Sequence, residues 1–303
     1  MLIIAQTALE LGFLYALVAM ALFLSYRTLD IADMTTDGCF VLGAAVSVTL
    51  AAAGHPFLAI PAAMAAGACA GYVTAFLQTR LGVPSILAGI VTNTGLYTVN
   101  LMAMGWKSNA SLLGVDTIFS LLKKTQLFGD WYELVIAAGV TLLAAVLLRL
   151  FLATRLGLSI RATGDNRDMV RASSLNPAFT ISVGLAISNA LTALSGAIVG
   201  QYQKTVDVNS GTGIVVIGLA CLIIGETVLG RRSVTKGILA AIVGSVIYRF
   251  IYAIVFYTHI VPVDCLKLLT AAIVALAISA PTIQKWISLR RRMGNHREGG
   301  ENA

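Results

Sequence analysis

The chain has 303 residues, of which 58% are hydrophobic and only 12% are charged, and its mean hydropathy is +0.86. Because soluble domains carry about 25% charged residues, this composition excludes a disordered chain, a coiled coil and an ordinary cytosolic enzyme. So much apolar surface requires lipid as its solvent, which predicts an all-α polytopic membrane protein. A cytoplasmic membrane face accounts for the net charge of +7, so we expect no nucleic-acid partner.

Apolar segments long enough to cross a membrane follow one another along the chain. A spanning helix needs about 20 mostly apolar residues, and on that basis we predict about eight to ten helices, with nine as the count. The nine segments are 2–25, 39–53, 57–78, 84–105, 132–153, 178–200, 213–229, 237–257 and 265–282. The second and seventh are short, which predicts interrupted helices whose unwound backbone is covered by protein or by a cavity.

Lys and Arg residues are divided unequally between the two sets of loops. Fourteen fall in the loops and tail on one side, against four on the other. Cytoplasmic loops carry the excess of basic residues, so we place the C-terminus and the basic tail, residues 283–303, in the cytoplasm. Nine crossings by the transmembrane domain, residues 1–282, then place the N-terminus outside.

Two distant segments of the chain are alike. The motif TLDI at 28–31 and the motif TVDV at 205–208 are each followed by Gly-x-x-x-x-Gly, at 38–43 and 213–218. The helices that precede them are the first and the sixth, so the two copies enter the membrane in opposite directions. We predict an inverted-topology repeat, with repeat one at about 9–105 and repeat two at about 178–282. Chance recurrence in an apolar chain of low complexity is the alternative.

Three carboxylates lie between the first two predicted helices, at Asp30, Asp33 and Asp37. A carboxylate facing lipid costs roughly 3 kcal/mol or more, so these residues form either a cytoplasmic turn or an unwound segment along a water-filled vestibule. We predict the vestibule. Asp207 and Asn209 hold the corresponding place in the second repeat.

Polar residues also interrupt other apolar segments. Asn93 and Asn100 share one face of the fourth helix, and Asn189 lies in the sixth. They either bond one helix to another or line a pathway. The predicted substrate pathway consists of Asp30, Asp33, Asp37, Asn93, Asn189 and Asp207.

The longest cytoplasmic loop, residues 154–177, predicts a short helix. Asp165 or Asn166 provides its N-cap, and Pro177 limits its far end. Met169 and Ala172 form an apolar edge, so the helix is either a docking element for another protein or a solvated connector. The residues predicted to couple to a partner are Gly164, Asp165, Asn166, Met169 and Ala172.

Three stretches of sequence resemble a known family. The loop TRLGLSIRATGDNRDMVRASSLNP resembles the coupling loop of permease subunits of ABC importers of the branched-chain amino acid and ribose type. The segments LDIADMTTDGCFVLGAA and GETVLG, the latter with Gly237 and Gly244 after it, resemble two further segments of these type II-like permeases. The resemblance spans about residues 9–282 and favours a single-permease subgroup that accompanies binding proteins for aromatic or other amino acids.

The resemblance implies a permease subunit of the bacterial inner membrane that imports a small polar solute, such as an amino acid. Its expected partners are a second copy of the chain, a cytoplasmic ATPase and an extracytoplasmic binding protein, within membrane lipid. The sequence has no Gly-x-x-x-x-Gly-Lys-Ser/Thr loop and no HExxH or GxSxG motif. We therefore expect no enzyme activity, no metal and no cofactor on this chain, with ATP and Mg bound by the ATPase. The alternative is an ion-coupled secondary transporter with inverted repeats.

Overall fold

A computed structural model describes residues 2–124, 129–230 and 233–257, together with the single positions 271, 272, 274, 275 and 279. The chain divides into a compact unit, residues 1–253, and a second unit, residues 254–303, whose described positions are all helical. The predicted tail, residues 283–303, lies outside the described residues, as does most of the predicted ninth helix.

Helices make up most of the described chain. The long helices are α1 (Leu2–Leu22), which continues as a wider π-helical segment (Phe23–Thr28), α3 (Pro56–Thr79), α4 (Ser85–Ala103), α6 (Tyr132–Ala153), α9 (Pro177–Gln203) and α11 (Val234–Tyr257). The shorter ones are α2 (Thr36–Ala52), α5 (Ile118–Lys124), a 3₁₀ turn (Gly129–Trp131), α7 (Arg155–Asp165), α8 (Arg167–Ala172) and α10 (Ile214–Leu229). Six described helices are long and apolar enough to span a membrane, and α2 and α10 are the two short apolar ones. The first eight predicted segments are therefore confirmed to within a few residues.

Helices α1 and α9 form the centre of the packing and run in opposite directions. Ser188 Oγ donates to Ala21 O at 2.8 Å, and Ser195 Oγ donates to Leu14 O at 2.7 Å. As the residue number rises along α9 it falls along α1, so the two helices are antiparallel. Hydroxyl groups bonded to the backbone of a neighbouring helix are a favourable way to bury polar atoms in lipid.

Small residues allow α3 to approach α9 closely. A Cβ atom added to Gly67 would lie 2.5 Å from Asn189 O, and one added to Gly71 would collide with Leu185 O. The backbones of the two helices are thus in contact, as the GxxxG spacing of these glycines favours. The contact fixes the part of α9 that carries Asn189.

The two short helices each run alongside the long helix of the other half. Ser47 of α2 donates to Ala197 O, and a Cβ on Gly196 would meet Phe40 O, so α2 is parallel to α9. Gly218 of α10 packs on Leu22, and Glu226 of α10 pairs with Arg27, so α10 runs parallel to α1. With α1 and α9 antiparallel, α2 and α10 point toward opposite ends of the molecule. This is the arrangement that an inverted repeat requires, while the exact limits of the two repeats stay a prediction.

The two ends of this unit carry different structural elements. At one end a two-stranded antiparallel ribbon pairs β1 (Asn109–Ser111) with β2 (Thr205–Asp207) over the last turns of α2. At the other end α7 packs beside the π-helical segment, and α8 packs against α7 and α9. The distribution of basic residues assigns the α7–α8 end to the cytoplasm, and we call it the inner end.

Candidate solute pathway and coupling helices

The chain between the π-helical segment and α2, residues 29–35, is not helical, and two of its buried side chains, Asp33 and Thr35, bond to neighbouring helices. Asp33 is 3% exposed. Its carboxylate accepts from Asn189 Nδ2 at 2.6 Å and from the Thr35 backbone N–H at 2.9 Å. The Thr35 hydroxyl bonds to the Thr74 hydroxyl of α3 at 2.7 Å. This segment is therefore the covered, unwound backbone that the short second helix predicts.

Asp37 joins the beginnings of the two short helices. Its carboxylate accepts from the backbone N–H groups of Gly213 at 3.0 Å and Val215 at 2.8 Å. These are among the amides that the first turn of α10 leaves without an intrahelical partner. A residue of repeat one thus caps a helix of repeat two, and the favourable interaction of a carboxylate with a helix N-terminus holds the two together.

A cavity of about 310 Å³ opens beside this junction. Asp37 and Gly38 of α2 form one wall, Asn93 and Asn100 of α4 form the second, and residues 208–212 form the third. Among the described residues that line it, Asp37 carries the only formal charge. Val41, Tyr97 and Val208 also line the cavity, and the carboxylate of Asp37 makes a position in contact with hydrocarbon costly.

The six residues predicted for the pathway fall in different surroundings. Asp37 and Asn93 line the cavity, together with Asn100 and Asn209, which the sequence analysis singled out but did not include among the six pathway residues. Asp207 pairs with Asn109 in the ribbon next to it. The remaining residues lie elsewhere: Asp33 and Asn189 bond to each other within packed helices, and Asp30 is exposed outside the cavity.

The coupling loop contains two helices where the sequence predicted one. Asn166 is the N-cap of α8, since its side chain accepts from the backbone N–H groups of Asp168 and Met169, both at 3.0 Å. Gly164 and Asp165 were expected to begin this helix, but they form the last turn of α7. The reason is that Asn166 leaves the helical conformation, with φ −159° and ψ 105°, and so ends one helix while capping the next.

The apolar edge of α8 is exposed. Met169 is 54% exposed and Ala172 is exposed, whereas Val170 is buried and anchors the helix. Leu175 extends the exposed edge just past the end of α8.

Helix α7 packs directly against the end of the π-helical segment, which precedes Asp37 in the chain. A Cβ atom added to Gly164 would collide with Thr28 O, at the end of the π-helical segment. The Thr163 hydroxyl bonds to the Thr180 hydroxyl of α9 at 2.8 Å. Beside this contact, Arg27 Nε forms an ion pair with the buried Glu226 of α10 at 3.3 Å. Sequence reasoning missed the Gly164–Thr28 contact and the Arg27–Glu226 ion pair, because each joins residues that are far apart in the chain.

Residues 4–278 match the family described as branched-chain amino acid transport system / permease component. The chain belongs to this permease family. A protein of Clostridioides difficile (strain R20291) named tyrosine transport system permease protein is 33% identical over 277 residues, 91% of this chain and 90% of that protein. An uncharacterized protein of Rickettsia prowazekii (strain Madrid E) is 32% identical over 278 residues, 90% of this chain and 96% of that protein.

A third relative carries a different solute in its name. The fructose import permease protein of Bifidobacterium longum (strain NCC 2705) is 26% identical over 249 residues, 81% of this chain and 69% of that protein. No solved structure matches the chain. The family makes this permease a transport subunit of an ABC importer, with no catalytic role, and a multi-pass protein of the bacterial inner membrane.

Proposed function

We propose that this permease imports an amino acid that an extracytoplasmic binding protein delivers, and that two copies of the chain form the pathway. A cytoplasmic ATPase binds the exposed edge of α8 and supplies the energy. The observation that carries this proposal is the exposure of Met169 and Ala172 on a short helix that is capped on one side and anchored by Val170. Such a projecting apolar edge fits a groove on a partner protein.

We propose that motion of the ATPase reaches the pathway through the contacts that connect α8 and α7 with the short helices. Helix α7 contacts the backbone at Thr28, and residues 29–35 lead from there to Asp37 at the cavity. Arg27 links the same place to α10, whose first turn Asp37 caps. A shift of α7 would therefore reach both short helices at once. The coupling rests on packed elements with direct contacts.

An amino acid is the solute that the site supports best. The cavity offers one carboxylate and several amide groups, and no cationic side chain is present among its described lining residues. Carboxylates favour a solute with an ammonium group over an anion. The relative named as a tyrosine permease supports the same class, and the one named as a fructose permease makes a sugar the alternative.

The test of this proposal introduces a charge on the exposed edge of α8. In Met169→Asp, a desolvated carboxylate would enter the apolar contact, and we expect at least about tenfold less ATPase to co-purify with the permease. ATP-dependent uptake of L-tyrosine into proteoliposomes that hold the complete importer should fall in parallel. Because Met169 is exposed, insertion and thermal stability of the permease should not change.

The matched control is Met169→Leu, which keeps an apolar side chain of similar volume and should retain the ATPase and the uptake. Normal uptake by Met169→Asp would refute the assignment of α8 as the coupling helix. Transport by purified wild-type permease without an ATPase would instead favour an ion-coupled secondary transporter. Uptake of D-fructose in place of L-tyrosine would refute the amino-acid assignment alone.

A further inference from the structure

Asn100 has an oxygen atom that no group of the described structure satisfies. The residue is 1% exposed, and its Nδ2 donates to Gly38 O at 3.2 Å. That bond fixes the orientation of the amide, because only the nitrogen can donate to a carbonyl. The Oδ1 atom then has no partner, although Asn100 lines the cavity. Leaving such an acceptor without a partner costs about 1–3 kcal/mol, so a bound donor would find this site favourable.

Two further acceptors border the same cavity. Asn93 Oδ1 lies close to the Cα atom of Gly38, where a Cβ would come within 2.5 Å of it. The carboxylate of Asp37 holds two backbone N–H groups of α10 and still has acceptor capacity, since an ionised carboxylate offers about four lone-pair sites. The residues of α2 and α4 that carry these oxygen acceptors thus line one space.

We propose that this cavity is a binding site within the permease itself, and that it holds the ammonium group of the solute between Asp37, Asn93 and Asn100. A primary ammonium presents three donors and one positive charge. The three side chains present one carboxylate and two amide oxygens, with one negative charge, so number and charge both match. The proposal rests on the proposed function, because it names the part of an amino acid that the permease would recognise.

The position of Asp37 connects this site with the junction of the two short helices. Asp37 caps α10 while it lines the cavity, so a bound ammonium group would share the carboxylate that joins the two short helices. Gly38 supplies the carbonyl that orients Asn100, and its lack of a side chain leaves the space into which Asn93 projects. A volume of about 310 Å³ lies within the range of about 300–1,000 Å³ that is common for small-molecule sites.

The experiment measures protection of an engineered thiol in the full-length permease in lipid nanodiscs. Thr94→Cys places a thiol on the cavity wall, in a background with Cys69→Ser and Cys265→Ser, while Cys39 and Cys221 are buried. We expect L-tyrosine to slow modification by a methanethiosulfonate reagent in a saturable way. The same molecule without its ammonium group, 3-(4-hydroxyphenyl)propanoate, should bind at least about tenfold more weakly, because the charge-assisted bonds are lost.

Asp37→Asn removes the charge and should abolish the difference between the two ligands. Asp116→Asn, in an exposed loop outside the cavity, is the matched control and should protect like the parent. Equal protection by the two ligands in the parent protein would overturn the proposal even if Asp37→Asn failed to fold. Protection by D-fructose alone, or by no ligand, would also overturn it. The assay needs no ATPase, so its failure is separate from failure of the coupling experiment with Met169→Asp.

Discussion

The two copies of the repeated motif differ in backbone conformation and in burial. In the first copy, residues 28–35, Asp33 and Thr35 are buried and bond to α9 and α3. In the second copy, residues 205–213, Thr205 and Asn209 are exposed, and β2 pairs with the external loop. The aligned carboxylates, Asp30 and Asp207, are exposed and half-buried, so the main difference between the copies lies in the residues that follow them. The first copy holds helices together, and the second borders the open cavity.

The comparison extends to the cation that precedes each motif. Arg27 stands directly before the first copy and forms an ion pair with Glu226 at 3.3 Å. Lys204 stands directly before the second and is exposed, in a left-handed conformation with φ 56°. The inner copy is thus held by an ion pair and by buried hydrogen bonds, whereas the outer copy is held by the ribbon and by Asp37. We infer that the first copy contributes mainly to stability and the second mainly to passage of the solute.

Removal of Asp33 should have the largest effect. Asp33→Ala leaves Asn189 Nδ2 and the Thr35 N–H without their carboxylate acceptor in a buried site, and we expect the free energy of unfolding to fall by about 3 kcal/mol. Thermal unfolding in detergent, followed by size-exclusion chromatography, measures the change.

Asp33→Asn is the informative control. An amide at this position can still accept from the Thr35 N–H. Asn189 can turn its Oδ1, which has no partner in the wild-type structure, toward the new amide nitrogen. We therefore expect this variant to lose much less stability than Asp33→Ala. Equal losses would show that the negative charge itself, and not the hydrogen bonds, holds residues 29–35 in place.

We expect the cation before the first copy, Arg27, to contribute more to stability than the cation before the second copy, Lys204. Both effects should be smaller than that of Asp33→Ala. Arg27→Gln takes the guanidinium away from the buried Glu226, and we expect a loss of about 1 kcal/mol, reduced because Arg27 is half exposed. Lys204→Gln at the outer copy should change stability by less than about 0.5 kcal/mol. The same thermal measurement compares them, and an equal effect of both variants would contradict the difference between the copies.

The sequence was a good guide wherever the physical signal is local. Apolar length located the eight described spanning or short helices, because hydropathy over about 20 residues depends on neighbours in the chain. Asn166 could be predicted as a cap because its partners, Asp168 and Met169, are two and three residues away. Helix α7 was missed, since residues 155–165 are polar on one face and too short to span lipid.

Contacts between distant residues could not be predicted in this way. Nothing near Asp33 in the chain indicates that its partner is Asn189, and nothing near Glu226 indicates Arg27. The pathway prediction therefore treated every carboxylate of residues 30–37 alike. Packing against α9 separated Asp33 from Asp37, because only the latter ends up beside the cavity.

The smallest effect on stability is expected at Asp207, the counterpart of Asp30 in the second copy. Asp207→Asn keeps an acceptor for the Asn209 N–H, which now bonds to Oδ1 at 2.7 Å, so we expect a change within about 0.5 kcal/mol. Uptake should respond more than stability, because the change removes a negative charge next to residues 208–212 of the cavity wall. A lower uptake rate with an unchanged unfolding temperature would place Asp207 on the solute's route. A loss of stability as large as that of Asp33→Ala would show instead that the outer copy holds the fold together as the inner one does.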